Sequence, residues 1–186
     1  ELDYTLLKKE ETKMRKSSTF ANTSVLAAGD WFKISVEKDG VFKLDANFFT
    51  SMGVDLSTID PRTIKIFGNN AGMLPALNSE NTVDDLKEMA ITVEGEGDGI
   101  FNSADFVLFY GQGPNVVYYD SLLSRFRHRL NIYSDKTYYF ITFGGVLGKR
   151  VSDQLSSSAN ATKSVSVFDD FKFYEKEIEH YENEDI

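Results

Sequence analysis

Short runs in which apolar and polar residues alternate are the feature that most constrains the fold of this chain. In the clearest example, Phe32, Ile34 and Val36 alternate with polar residues, which is typical of a strand with one buried face. Turn-forming segments separate such runs, and long amphipathic helical patterns are rare. The sequence therefore predicts an all-β, mostly antiparallel fold that is a β-sandwich or jelly-roll-like. Further strands are predicted at Thr23–Ala28, Thr63–Phe67, Met89–Val93, Phe106–Tyr110, Val116–Tyr119, Leu130–Tyr133, Tyr138–Phe143 and Val165–Phe173.

An Asp39-Gly40 pair follows the first of these runs and precedes a second one at Phe42–Leu44. A two-residue hairpin turn of type I′ needs positive φ at both central positions, and Asp-Gly pairs favour it. The pattern therefore predicts a β-hairpin between the two runs.

One short helix is predicted near 45–52, directly after the second run. Asp45 is suited to cap its N-terminus, and Phe48 and Phe49 supply an apolar stripe. Gly53 suits the left-handed conformation in which many helices end.

The composition along the chain predicts three segments. Residues 1–22 mix charges with serine and threonine and are expected to be a flexible lead-in. Residues 23–173 form the β domain, in which 144–163 is expected to be a long exposed loop. Between 169 and 186, eight acidic residues stand against two lysines. Residues 174–186 are therefore expected to be an acidic linker.

Several function classes conflict with the residue content. The chain has no cysteine, which excludes thiol nucleophiles, disulfides and cysteine-based metal sites. Its net charge of -9 argues against nucleic-acid binding, and no apolar run is long enough for a transmembrane segment. The histidines, His128 and His180, accompany no recognisable hydrolase or metalloprotease motif. We therefore expect no catalytic residue and no enzymatic activity in this chain.

One local motif has the spacing of a calcium loop and resembles the EF-hand-like loops of dockerins. Acidic residues take positions 1, 3, 5 and 12 of the segment from Glu94 to Asp105, and Gly99 takes position 6. The positions of candidate ligands are Glu94, Glu96, Asp98, Ile100, Asn102 and Asp105. Glutamate at positions 1 and 3 and strands on both sides depart from the EF-hand pattern. The alternative is an acidic turn in which Asp98-Gly99 reverses the chain and Asp105 bonds to nearby backbone.

A basic cluster, Arg125, Arg127, His128 and Arg129, is conspicuous in a chain this acidic. In a strand, the three arginines would share one face and present a row of guanidinium groups to a carboxylate-bearing partner. The alternative is that intramolecular ion pairs, including pairs with the acidic C-terminal segment, neutralise the cluster.

Six short segments, taken in order, resemble the N-terminal region of the PorU-like sortases of the type IX secretion system. These proteins belong to the gingipain-type cysteine peptidases of Bacteroidetes. The resemblance extends from about Gly29 to about Thr142. The segments that carry it are Gly29–Ile34, Asp39–Leu44, Ile66–Asn69, Asp98–Asn102, Phe109–Pro114 and Asn131–Asp135.

The resemblance implies a non-catalytic, prodomain-like or accessory domain of an exported protein at the periplasm or outer-membrane surface. PorU-like proteins remove the C-terminal sorting domain from secreted cargo with a Cys-His pair in a caspase-like domain. The resemblance also implies that residues 174–186 are the linker toward a C-terminal peptidase domain. The implied partners are therefore that peptidase domain of the same chain, outer-membrane components of the secretion system, and cargo proteins. In gingipains the β-rich prodomain presents an arginine to the active site, and Arg125, Arg127 or Arg129 is a candidate for a comparable role.

A second interpretation is a calcium-dependent adhesion or carbohydrate-binding β-module of a surface protein. It would require a metal in the loop from Glu94 to Asp105 and a row of solvent-facing tyrosines. Within the first interpretation, inhibition, activation and scaffolding of the peptidase all remain open roles.

Overall fold

The structure is a computed structural model that describes residues 21–69, 72–75, 77, 80, 82–153 and 166. The chain divides into a unit from Glu1 to Ser152 and a unit from Asp153 to Ile186. Apart from residues 21, 22 and 166, the predicted lead-in, the strand at Val165–Phe173 and the acidic linker lie outside the described residues. The predicted segment boundaries therefore stay predictions.

Nine strands, one α-helix and four short 3-10 turns make up the regular structure of the described part. The turns are Val25–Ala27, Leu56–Thr58, Pro61–Thr63 and Glu96–Asp98. The helix is α1 (Ala46–Ser51), and the strands are β1 (Phe32–Val36), β2 (Gly40–Asp45), β3 (Lys65–Gly68), β4 (Lys87–Met89), β5 (Thr92–Glu94), β6 (Phe106–Gly111), β7 (Val116–Asp120), β8 (Arg125–Arg129) and β9 (Thr137–Thr142). In the described part, no helix is long and apolar enough to cross a membrane.

The strands form three sheets, and all the strand pairs within them are antiparallel. One sheet has the order β1-β9-β3-β4, the second has the order β2-β6-β5, and β7 and β8 form a separate pair. The predicted all-β, mostly antiparallel class is therefore confirmed.

The two larger sheets supply one common core. Phe109 of β6 meets Tyr139 of β9 edge to face, with ring centroids 5.4 Å apart. From α1, Phe49 packs in the same way on Phe101 at 5.1 Å. Full burial of one such side chain contributes about 1.5–3 kcal/mol to stability. The buried apolar residues are Val36, Leu44, Ala46, Phe49, Val54, Ile59, Ile64, Ile66, Ile91, Val93, Phe101, Val107, Phe109, Tyr139 and Ile141.

The short helix forms where the sequence predicts it. The Asp45 carboxylate accepts a hydrogen bond from the Phe48 backbone N–H at 2.9 Å, so it caps the N-terminus. After the helix, Gly53 has φ of +81°, a left-handed conformation that glycine adopts without steric cost.

The predicted hairpin at Asp39-Gly40 is wrong. The strand before the pair, β1, pairs with β9, while the strand after it, β2, pairs with β6 in the other sheet. Gly40 does not have positive φ. The Asp39 carboxylate instead accepts a hydrogen bond from the Gly113 N–H at 2.7 Å. The Asp-Gly pair therefore connects the two sheets, and packing of two buried strand faces overrides the local turn preference.

The predicted strand at Met89–Val93 is divided between the two larger sheets. β4 belongs to the first and β5 to the second, and Ile91 between them is fully buried. The backbone of Ile91 is hydrogen-bonded to the segment Lys149–Val151. Its N–H donates to the Lys149 carbonyl oxygen, and its own carbonyl oxygen accepts from the Val151 N–H. This bridge to a distant segment separates the strand into two.

Three other strand predictions need correction. The segment Thr23–Ala28 contains a 3-10 turn, capped by the Ser24 side chain, in place of a strand. The strand predicted at Thr63–Phe67 starts later, because Pro61–Thr63 forms a turn that Asp60 caps. Leu130–Tyr133 is not a strand, and the basic run just before it is one.

Candidate partner-binding site

β7 and β8 form a two-stranded hairpin that is separate from both larger sheets. The register pairs Val116 with Arg129 at the open end and Asp120 with Arg125 next to the loop. The Asn115 side chain closes the base by accepting a hydrogen bond from the Asn131 N–H at 2.9 Å. The basic cluster thus lies in a strand whose partner is the Val-Val-Tyr-Tyr-Asp run of β7.

Asp120 organises the loop at the tip of the hairpin. One carboxylate oxygen accepts from the N–H groups of Leu122 and Leu123, both at 3.1 Å, and the other oxygen lies 3.3 Å from Arg127 Nη1. These interactions, led by the Leu123 N–H, hold the pKa of the Asp120 carboxyl below its usual value. Ser124 completes the turn with φ of 47°. Asp120 is therefore ionised at neutral pH and accepts these hydrogen bonds as a carboxylate.

One face of the hairpin is basic. Directly opposed residues of an antiparallel pair point to the same side, so Arg125, Arg127 and Arg129 share a face with Tyr118 and Asp120. Arg127 forms the ion pair with Asp120, and the Arg129 guanidinium lies 5.5 Å from the Tyr118 ring centroid. Among the described residues, the Arg125 guanidinium has no ion-pair partner. The Arg127 pair is of the kind that the intramolecular alternative expects, and the acidic C-terminal segment lies outside the described residues. Both the binding role of the arginines and the alternative of intramolecular ion pairs therefore stay predictions.

The opposite face of the hairpin is apolar and aromatic. Val117 and Tyr119 of β7 lie opposite His128 and Phe126 of β8. The Tyr119 and Phe126 rings meet edge to face at 5.3 Å, and 56% and 66% of their surfaces remain exposed. At the tip, Leu122 is 94% exposed. Large apolar side chains this exposed on one element are typical of an interaction surface.

The hairpin has no core of its own. From Asn115 to Tyr138, all described, no residue is buried. An isolated two-stranded hairpin is at best marginally stable in water, so this element depends on contacts beyond its own two strands.

The acidic loop lies elsewhere and each of its carboxylates has a different environment. Glu96 lies in a 3-10 turn and accepts from Arg150 Nε at 2.8 Å. Asp98 accepts from the Ile100 N–H at 2.9 Å, and the turn ends at Gly99 in the left-handed conformation. Glu94 is exposed at the end of β5. Asp98-Gly99 therefore reverses the chain, as the acidic-turn interpretation expects.

Asp105 is the buried member of this loop, with 4% of its surface exposed. It accepts from the Asn102 N–H at 2.8 Å, and the Asn102 side chain in turn accepts from the Ala104 N–H. Within the described residues, no group of three or more acidic or histidine side chains is placed to hold a metal ion. The loop geometry fits a self-bonded turn, and calcium binding stays a prediction.

The histidine positions bear on the expected lack of catalysis. His128 lies on the aromatic face of the hairpin, opposite Val117, and His180 lies outside the described residues. Enzymatic activity is not decided by this placement, so the absence of catalysis remains an expectation from sequence.

Sequence reasoning missed the aromatic half of this site and the role of Asp120. The signal was present, because Val116–Asp120 is rich in β-branched and aromatic residues, Arg125–Arg129 alternates, and a four-residue segment with two serines separates them. The missing step was to pair these neighbouring runs with each other.

These elements define an all-β domain that carries an exposed basic and aromatic hairpin. No family model and no curated protein matches the chain. Among solved structures, the crystal structure of dimeric latent PorU from Porphyromonas gingivalis is similar, with a TM-score of 0.55 and 28% sequence identity. The match covers 77% of this chain and 12% of that chain. The chain thus has a fold like a small part of PorU.

Proposed function

We propose that this chain is a non-catalytic accessory domain of a PorU-like type IX secretion sortase, packing on the peptidase domain of the same polypeptide. The observation that carries the proposal is the similarity to latent PorU over 77% of this chain. Six sequence segments that resemble the N-terminal region of PorU-like sortases support it independently. In this role the domain acts at the periplasm or outer-membrane surface and supports the processing of cargo proteins.

The residue content of the chain is consistent with this division of labour. A Cys-His pair cannot come from a chain without cysteine, so the peptidase chemistry belongs to another part of the polypeptide. Because this chain spans 12% of the PorU neighbour, most of such a protein lies outside it.

The β7–β8 hairpin is the surface through which we propose that the domain influences its neighbours. It combines exposed aromatic rings, which dominate interface energetics, with arginines, which bind carboxylates in a planar geometry. Arg125 is the arginine best placed to reach an acidic pocket, since it is exposed next to the loop and has no ion pair in the described part.

The test is to express the region that follows this chain in the same reading frame and to add the chain back in trans. We expect the two parts to co-elute in size-exclusion chromatography and the added chain to change the rate at which a fluorogenic cargo-derived peptide is cleaved. The triple variant R125E/R127E/R129E should weaken co-elution, whereas K38E/K87E/K149E, an equal charge change at exposed lysines, should not. A downstream region without a cysteine peptidase, or one that ignores the chain, would refute the proposal.

A further inference from the structure

The outer backbone edge of β1 is the starting observation. β1 lies at the end of the four-stranded sheet, where it pairs with β9 alone. Within the described part of the chain, the five residues of β1 make no hydrogen bond other than those to β9. The N–H and C=O groups that point away from β9 are therefore open to pairing with a further strand, because an unpaired edge is a template for another chain.

The two faces of β1 restrict which strand can be added to this edge. Phe32 and Ile34 pack against the core, and Val36 is 4% exposed. Lys33 and Ser35 alternate with them and are exposed on the other face. Directly opposed residues of an antiparallel pair point to the same side of the sheet. An added strand therefore continues both faces only if its apolar residues lie opposite the apolar residues of β1.

The β1 sequence meets this condition when it is paired antiparallel with itself. In a register centred on Ile34, this residue lies opposite its own counterpart, and Phe32 lies opposite Val36 of the second copy. On the exposed face, Lys33 lies opposite Ser35 of the second copy, so that no like charges are directly opposed. A five-residue strand with this pattern is self-complementary on both faces.

The charges that flank β1 favour the same register. Continued by two residues at each end, the register brings Asp30 of one copy opposite Lys38 of the other, and both side chains are exposed. Opposite charges in such positions stabilise an antiparallel pair. Residues 30–38 contain two acidic residues, Asp30 and Glu37, and two lysines, Lys33 and Lys38. The net charge of -9 of the whole chain is therefore not concentrated at this edge.

The other edges of the two larger sheets are less suited to self-pairing. β2 has six residues, so antiparallel self-pairing over its full length would place Phe42 opposite Lys43, which point to opposite faces. β4 and β5 have only three residues each. Among the edges of these two sheets, β1 is therefore the one that best fits a copy of itself.

We propose that two copies of this chain associate through their β1 edges, antiparallel and centred on Ile34. The two four-stranded sheets then form one continuous sheet across the interface. Backbone hydrogen bonds between the edges supply affinity, and the pairs of Lys33 with Ser35 and of Asp30 with Lys38 fix the register. This inference goes beyond the proposed function and does not depend on it.

Sedimentation equilibrium of the full chain measures the association, and we expect a monomer–dimer equilibrium at submillimolar concentration. Ser35→Lys places two lysines opposite each other twice in the dimer and should raise the dissociation constant by about fivefold or more. The double variant K33E/S35K restores opposite charges in the same places and should recover at least the parent affinity. Ser103→Lys adds the same charge at an exposed position of another loop and should leave the dissociation constant unchanged.

A second test reads the register directly, because the chain has no cysteine and introduced thiols report which positions are close. Position 33 of one copy lies opposite position 35 of the other, and two positions away from its own counterpart. A mixture of Lys33→Cys and Ser35→Cys should therefore form disulfide-linked dimers faster than either variant alone.

Three outcomes would overturn the proposal. The first is equal cross-linking in the mixture and in the single variants. The second is a dissociation constant that Ser35→Lys does not raise, or that K33E/S35K does not restore while circular dichroism shows a folded chain. The third is a chain that stays monomeric into the millimolar range, which would favour a strand of a different protein as the partner of this edge.

Discussion

The phenolic oxygen of Tyr139 lies 2.7 Å from the backbone nitrogen of Gln112 and 3.1 Å from its carbonyl oxygen, so it accepts from one group and donates to the other. Tyr139 belongs to β9 of the four-stranded sheet, and Gln112 follows β6 of the three-stranded sheet. The Tyr139 ring also packs on Phe109. A single side chain thus connects the two sheets by an aromatic contact and two hydrogen bonds.

Replacing Tyr139 by phenylalanine tests these two hydrogen bonds. Tyr139→Phe keeps the ring but leaves both Gln112 backbone groups without this partner in a partly buried place, and we expect a loss of about 1–2 kcal/mol in the free energy of unfolding. The measurement is urea denaturation followed by circular dichroism. Tyr138→Phe is the matched control, because it also removes one hydroxyl group but from a side chain that is 42% exposed. We expect it to change the free energy of unfolding by less than about 0.5 kcal/mol. Equal effects of the two variants would contradict the inference.

The same residue predicts how stability responds to alkaline pH. Burial disfavours the phenolate and raises the pKa of Tyr139 above its ordinary value of 10.0. The unfolded chain therefore ionises first, and the stabilising contribution of the neutral hydroxyl is complete below about pH 10 and lost as pH rises through the folded-state pKa. We expect Tyr139→Phe to lose less stability than the parent chain between about pH 9 and 11. Parallel slopes in urea titrations over this range would contradict it.

The elements that sequence reasoning predicted correctly depend on local signals. The alternation at Phe32–Val36 and the Asp45 cap each involve neighbouring residues, and the structure contains the strand and the helix as expected. The failures depend on distant partners. Asp39-Gly40 has the local chemistry of a hairpin turn, but the strands on its two sides pair with β9 and β6. No local pattern encodes that choice of partner.

Arg150 shows the same limit for the acidic loop. Its guanidinium donates to Glu96 at 2.8 Å and to the carbonyl oxygens of Pro61 and Arg62, both at 2.9 Å. Arg150 thereby contacts Glu96, which is 54 positions away in the sequence, and Pro61 and Arg62, which are 89 and 88 positions away. The sequence alone does not reveal contacts over such separations. A carboxylate that resembled a calcium ligand in the sequence is, in the structure, the partner of a distant arginine.

Arg150→Lys should therefore destabilise the domain. A lysine ammonium lacks the planar fork that reaches several acceptors at once, so we expect a loss of about 1–3 kcal/mol in the free energy of unfolding. Chemical denaturation measures it. Arg125→Lys is the control on an exposed site and should change stability by less than about 0.5 kcal/mol. An unchanged free energy of unfolding for Arg150→Lys would mean that Glu96 and the two carbonyl oxygens find other hydrogen-bond donors when the guanidinium is absent.

Gly95 and Gly97 provide a paired test of the loop conformation. Gly95 has φ of +87°, and a Cβ atom there would meet the buried Asp105 carboxylate, whereas a Cβ atom at Gly97 meets no atom within 4 Å. Gly95→Ala combines backbone strain with a clash and should cost at least about 2 kcal/mol of stability, while Gly97→Ala should cost less than about 1 kcal/mol. Thermal and urea denaturation of both variants check this. Similar stabilities would show that Asp105 does not hold this position.

The last prediction concerns calcium, for which the loop geometry and the sequence motif give different expectations. A metal that binds only the folded chain raises its stability by about 2.7 kcal/mol at a hundredfold excess over the dissociation constant. Because Glu96 is bonded to Arg150 and Asp105 to the Asn102 N–H, binding would first have to break these contacts. We therefore expect the same melting temperature with excess calcium and with chelator, for the parent chain and for Asp98→Asn alike. A melting temperature that rises with calcium in the parent chain but not in Asp98→Asn would establish a metal site and favour the surface-module interpretation over the sortase accessory domain.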